Sequence, residues 1–229
     1  MWGAAVGDVD ANTALSWLWG TQAAQRLARF PFLPSPVTFV DLETTRDRVV
    51  EVATVRFAHN EPPSVFHTYV NPGPEGWRRS GEYWNTGIHG LTPEQVRACP
   101  PFSALLPALT AQFAHGAWAA GHNVAFERRF LELEYGRLGQ GWAARELCTL
   151  RLARDLFPNR RSDGSNYRLD TLAAGLDIRN PAPHRAIGDT VTTVWVLLAM
   201  LEGRARDPEL PVLVRNAMRG GRPPNPWTR

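Results

Sequence analysis

The sequence predicts a mixed α/β fold: a sheet of three antiparallel strands plus parallel strands, flanked by helices. Three observations predict it. Three β-branched runs follow one another with short polar turns, helix and strand patterns then alternate from Gly73 onward, and the alternation closes on a long apolar helix. Hairpin-length connections impose antiparallel pairing, whereas strands separated by helices pair in parallel. With 229 residues, 44% of them hydrophobic, the chain can bury one substantial core.

In chain order, residues 1–35 read as an N-terminal appendage, partly helical, with Leu15, Leu18, Leu27 and Phe30 on a short helix from Asn12 and prolines 31, 34 and 36 closing it. The strands are Val37–Glu43, Val49–Phe57 and Val65–Val70, rich in β-branched residues between turn-forming segments. Asn71-Pro72-Gly73 ends the third. Thr92-Pro93-Glu94 opens a helix with a capping threonine and a proline in the first turn, and Phe102–Phe113 gives another. A strand at 117–121 runs into a helix at 124–138 that Asn123 is placed to cap, and a strand at 145–148 runs into a helix from Leu150. A helix near Leu169–Leu176 precedes the last one, Arg185 to Leu201, where Ile187, Val191, Val194, Trp195 and Leu198 mark one buried stripe. The core domain is thus 36–202, and residues 203–229, rich in Pro, Gly and Arg, read as a mobile basic tail.

Composition excludes several function classes. Two cysteines, Cys99 and Cys148, make neither a disulfide framework nor a four-ligand zinc site. All 25 basic residues are arginine. Residues 203–229 hold six of them against Asp207 and Glu209, a balance of +4 in a total of +3, so the body carries −1 and is not a generic polyanion binder. Val191 to Leu201 falls short of the roughly 20 residues of a membrane span, and no basic residue precedes Arg26. A cytoplasmic protein without a membrane partner is expected.

Asp41 and Glu43 lie two apart in an apolar strand, which places both carboxylates on one face with Val37 and Phe39. Such a pair on a core-side face is costly unless something positive lies between the acids; a strand ending at Val40 would leave both solvated. Glu127, in Gly121-His122-Asn123-Val124-Ala125-Phe126-Glu127, falls in the first turn of a helix, where the macrodipole favours an acid with or without catalytic duty. In His184-Arg185-Ala186-Ile187-Gly188-Asp189, a continuous helix would set the first and last residues about 140° apart. Cooperation between them requires His184 in the Pro-rich loop before the helix. Taken singly, each residue has an ordinary structural reading.

Their order adds more: D-x-E-T on a strand, H-N-x-x-F-acid opening a helix, and H-x-A-x-x-D opening another. Over roughly residues 37–201 the chain closely resembles the DEDDh branch of the DEDD 3′→5′ exonucleases, especially the proofreading epsilon subunits of bacterial DNA polymerase III and their stand-alone relatives. Connecting segments match too, among them Asn71-Pro72-Gly73, Gly87-Ile88-His89-Gly90-Leu91-Thr92 and Cys148-Thr149-Leu150.

The resemblance implies a ribonuclease H-like fold and a 3′→5′ exonuclease that releases nucleoside monophosphates from single-stranded or frayed DNA 3′ ends, in proofreading or repair. It implies two divalent metal ions held by Asp41, Glu43, Glu127 and Asp189, with Asp41 bridging both, and His184 as general base. It also implies contacts to the terminal nucleotide from backbone near Leu42 and Thr44, with Ile88, His89 and Asn123. Oxygen-only ligands suit Mg²⁺ or Mn²⁺. Two departures stand out. Glu127 replaces the family's aspartate, which favours Mn²⁺ as the preferred ion, and Thr44-Thr45 runs directly into Arg46-Asp47-Arg48, a short turn whose arginines are placed to contact phosphate. Two alternatives stand beside the DNA reading: an RNA-trimming 3′→5′ exoribonuclease, or a catalytically weak nucleic-acid- or partner-binding module of the same fold. The proofreading likeness makes a DNA polymerase the implied protein partner.

Overall fold

The three β-branched runs pair as their short turns require, and the computed structural model describes residues 11–18, 20–80, 84–158 and 167–219. The strands are β1 (Val37–Thr44), β2 (Val49–Phe57), β3 (Ser64–Tyr69), β4 (Trp118–Gly121), β5 (Glu146–Cys148) and β6 (Met218–Arg219). The helices are α1 (Ala11–Trp17), α2 (Gln22–Leu27), α3 (Gly73–Ser80), α4 (Thr86–His89), α5 (Pro93–Arg97), α6 (Phe102–Gln112), α7 (Ala125–Arg137), α8 (Thr149–Leu156), α9 (Leu169–Gly175), α10 (Ala186–Gly203) and α11 (Leu210–Ala217). One sheet runs in the order β3-β2-β1-β4-β5-β6. β1 pairs antiparallel with β2 and parallel with β4, and β4 pairs parallel with β5. The expected mixed, ribonuclease H-like sheet is the one observed.

Alternation along β1 divides the core. Val37 and Phe39 join Val55 and Phe57 against the apolar side of α10, while Val40 and Leu42 pack with Leu105, Leu109, Phe130 and Leu131 of α6 and α7. Asp41 and Glu43 therefore continue the face that meets α10. Gly121, at the end of β4, lets the next turn close on β1: a Cβ there would stand 3.2 Å from the Val40 carbonyl oxygen and 3.3 Å from Val124 Cβ.

Three expectations require correction. α10 does not bury a single stripe. It is buried nearly all round, because β1 and β2 cover one side and α1, α2, α8 and α9 the others. Residues 12–33 are not set apart as an appendage, since Leu18, Leu27 and Phe30 belong to the same core as α10, Trp195 Nε1 donates to the Trp17 carbonyl at 3.0 Å, and Arg26 pairs with Glu202. The part of that segment before Ala11 lies outside the described residues.

Residues 203–219 are likewise folded rather than a mobile tail. Leu210, Val214 and Ala217 are buried, Arg151 donates to the Ala217 carbonyl at 2.7 Å, and β6 adds an antiparallel edge to β5. The apolar spacing at 210, 214 and 217 is helical, and the surrounding prolines and arginines conceal it in the composition. Residues 220–229 lie outside the described set.

Candidate active site

β1 ends in a bulge between Glu43 and Thr44, where the register with β2 shifts. The bulge follows the two acids, whose place on the face toward α10 is set by the regular alternation of β1 up to Glu43. One oxygen each from Asp41, Glu43 and Asp189 lie within 4.8 Å of one another, and all three residues are half-buried. Burial raises Asp41 well above the usual carboxylate range, with further push from Asp189, Glu127 and Glu43. Glu43 is pushed up to about 9, by burial first and then by Glu51 and Asp189, against a partial pull from Arg185. Asp189 is raised by burial, opposed by the Asn180 amide and by His184. Three acids that resist ionisation together, offering only oxygen donors, form a site that a hard divalent cation fits.

Asp189 is carried in the first turn of α10. Asn180 Nδ2 donates to its Oδ1 at 2.5 Å, while Asn180 Oδ1 accepts from the Ala182 N–H at 3.1 Å. The 180–184 loop folds back onto α10 where Gly188 has no side chain, since a Cβ there would stand 2.1 Å from the Ala182 carbonyl oxygen. His184 occupies this loop, exposed, with a left-handed φ of 58°. The structure thus puts it before the helix, as the five-residue spacing requires. His184 and Asp189 together border a cleft of about 350 Å³ that continues past Asn123 to Arg154 and Tyr167.

Glu127 stands apart from the three-acid group. It is 3% exposed, and its Oε2 has no hydrogen-bond partner among the described residues. Burial raises its pKa to about 8, opposed by its own backbone N–H and supported by Glu146. Asp41 feels its charge, so it borders the cluster without joining it.

The expected nucleotide contacts are distributed unevenly. Leu42 and Thr44 are buried at the end of β1, and Asn85 Nδ2 donates to the Thr44 carbonyl at 3.0 Å, which seats α4 beside that end. Ile88 on α4 is 60% exposed. His89 is buried with both ring nitrogens committed: Nε2 donates to the Trp84 carbonyl at 2.9 Å and Nδ1 accepts from the Leu91 N–H at 3.1 Å. Its ring pins the loop that presents Ile88. Asn123 is exposed with φ of 72°, and its side chain does not cap α7; its carbonyl accepts from the Phe126 N–H at 2.8 Å.

Arg48 faces inward, contrary to the expected phosphate contact. Its Nε meets Glu134 Oε1 at 2.8 Å, and Arg137 joins Asp47 at 3.1 Å, so the short turn is bolted to α7. Sequence reasoning passed over Asn180, Glu134 and the buried Glu51. The available signal was Glu51 itself, an acid inside the apolar run Val49–Phe57 and in register with Glu43.

The exonuclease family model, of RNase T type, matches residues 38–197. The chain is 30% identical over 167 residues to the PolC-type DNA polymerase III of Caldanaerobacter subterraneus subsp. tengcongensis, covering 71% of this chain and 11% of that protein. It is 31% identical over 194 residues to a DNA polymerase III subunit epsilon-like protein of Rhodobacter capsulatus, covering 80% and 26%. The chain thus spans a small part of these relatives. In fold it is similar to Exonuclease X in complex with 5′ overhanging duplex DNA, with TM-score 0.56 and 21% identity over 79% of this chain and 99% of that one. It is also similar to the nuclease domain of 3′hExo, a DEDDh family member bound to rAMP, with TM-score 0.61 and 15% identity over 74% and 92%.

Proposed function

The chain belongs to the exonuclease family whose model it matches over residues 38–197, and from that premise we propose that it is a cytoplasmic, divalent-metal-dependent 3′→5′ exonuclease that releases nucleoside monophosphates from DNA 3′ ends. The observation that carries this is the convergence of Asp41, Glu43 and Asp189 within 4.8 Å, with Asp189 also lining a cleft that His184 borders. Asp41, Glu43 and Asp189 would hold one cation and Asp41 with Glu127 a second. Bound there, such ions lower the pKa of water and offset charge on the attacking and leaving oxygens of an in-line displacement.

The protein's own groups do the rest. His184, exposed at the cleft, takes the proton that the attacking water loses. Asn180 keeps one Asp189 oxygen oriented through its amide. Ile88, exposed beside the end of β1, offers an apolar surface to the terminal base, and Asn123 a polar one to its sugar or phosphate. In the proofreading form of this function a DNA polymerase is the partner; in the repair form none is needed.

The test is digestion of 5′-labelled and 3′-labelled oligonucleotides, single- and double-stranded DNA and RNA, with Mg²⁺ or Mn²⁺. RNA is included because a fold of this type holds rAMP in one neighbour. Shortening from the 3′ end of DNA with monophosphate release is expected. In Asp41→Ala, turnover should fall below about a tenth of wild type with the circular dichroism spectrum unchanged. No hydrolysis with either ion leaves a binding module, and preference for RNA leaves an exoribonuclease.

A further inference from the structure

We propose that Glu51, acting through Arg185, is a positioning residue that fixes the His184 turn over the carboxylate cluster. This rests on the general-base role of His184. Glu51 is fully buried in β2, opposite Glu43 in the β1–β2 register. An ionised acid in that position needs partners, and its two oxygens are both engaged. His67 Nε2 lies 2.7 Å from Oε1, Arg185 Nε lies 3.1 Å from Oε2, and the second Arg185 nitrogen lies 3.4 Å from Oε1. The guanidinium also lies over the Tyr69 ring at 4.9 Å. Burial alone would raise Glu51, but His67 and Arg185 outweigh it and hold the acid below its ordinary range. With its oxygens so occupied, Glu51 stands outside the three-acid group although it shares the same sheet face.

What this network anchors is the joint between loop and helix. Arg185 is the extended residue that precedes α10, and His184 before it has φ of 58°, a backbone that a side-chain-bearing residue keeps only when its surroundings over-determine it. The Asn180 amide, through Asp189, and the close approach of Ala182 to Gly188 hold the upstream loop to the helix. Arg185 is the tie beside His184 that reaches the central sheet, and Glu51 is its rigid end. A planar, two-point grip resists rotation of the turn in a way that a point charge does not. The side chain of Arg185, whose contacts are to Glu51 and Tyr69, thereby sets where the imidazole stands relative to Asp41 and Glu43.

A double-mutant cycle in the full chain tests this. Arg185→Met, Arg185→Lys and Glu51→Gln are each made alone and with His184→Ala. Three quantities are measured: kcat and KM on 3′-labelled single-stranded DNA, Mn²⁺ affinity by calorimetry without DNA, and amide hydrogen exchange across 184–188. Arg185→Met should lower kcat roughly 10- to 100-fold, as a misplacement of about 1 Å does, with KM and Mn²⁺ affinity within about threefold of wild type and faster exchange at 184–188. Arg185→Lys should recover part of kcat. In the His184→Ala background, Arg185→Met should cause no further loss. Glu51→Gln keeps one acceptor oxygen for Arg185 and gives the same cycle should Arg185→Met fail to fold. Equal losses with and without His184, or a loss confined to KM or Mn²⁺ affinity, would overturn the positioning role and leave the general base standing. A His184→Ala enzyme with wild-type kcat would overturn the general base itself, and the positioning role with it.

Discussion

Glu127 is where a single methylene has the largest reach. Its buried carboxyl carries an oxygen without a protein partner among the described residues and a pKa of about 8, so near neutral pH it is mostly protonated in the metal-free protein, and a cation held there would take the proton's place. Compared with aspartate, it extends roughly 1–1.5 Å further from α7, where ligand distances are held to about 0.2 Å. Mg²⁺ insists on near-ideal octahedral geometry, and Mn²⁺ accepts a less regular shell. We expect kcat to be markedly higher with Mn²⁺ than with Mg²⁺, Glu127→Asp to shift the ratio toward Mg²⁺, and Glu127→Ala to be nearly inactive with both. Steady-state rates with each ion check this; equal Mg²⁺ and Mn²⁺ rates in the wild type would remove Glu127 from the site. At this scale, Asp41, Glu43 and Asp189 were legible because strand period and motif order mark them. Asn180 and Glu51 were not. The amide of Asn180 has meaning only against Asp189 after the loop has folded back, and Glu51 finds Arg185 across 134 residues.

The elements added at either end change what truncation does. An unfolded arginine tail would contribute affinity through counterion release, and removing it would raise KM at low salt. α11 instead buries Leu210 and Val214 against the core that contains α8 and α10. Truncation after Gly203 should therefore lower Tm and soluble yield at any salt concentration. Val214→Asp, which buries an unpaired charge, should cost about 3 kcal/mol, or roughly 6–12 °C in a chain of this size. Thermal melts at low and high salt decide the matter, and an unchanged Tm would detach α11 from the fold. The turn after β1 carries the same lesson: Arg48 reads as an exposed arginine beside a scissile end, yet its partner Glu134 lies on a helix whose approach no local pattern specifies.

Across the whole molecule the acids are a liability that a cation relieves. Glu43 is raised to about 9 and Glu127 to about 8 from ordinary values of 4.5, and Asp41 is raised in the same direction, all chiefly by burial. Between about pH 5 and 9 these acids hold protons in the folded, metal-free protein that they release in the unfolded chain, which lowers stability as pH rises. Burial lowers His89 and His122 from 6.5, which opposes this below about pH 7, so the decline falls between about pH 7 and 9. A divalent cation held by these acids would remove the need for those protons. Melting curves in chelator should show Tm declining from about pH 7 to 9, and the gain in Tm on adding Mn²⁺ should grow over the same range; a flat profile in chelator would contradict the raised pKa values. Strand period, turn residues and motif order determined from the sequence alone the β1–β2–β3 meander, the alternation after it, the exonuclease kinship and the acids that converge, because these are local regularities or ordered spacings that survive in one dimension. Only the tertiary structure decided that α1, α2 and α11 belong to the core, that His89 and Arg48 are internal fasteners, that Glu127 stands beside the three-acid group, and that Glu51 grips Arg185. Each of those depends on which surfaces meet when the sheet closes, and the free energy of such a contact is a property of the pair and not of either segment.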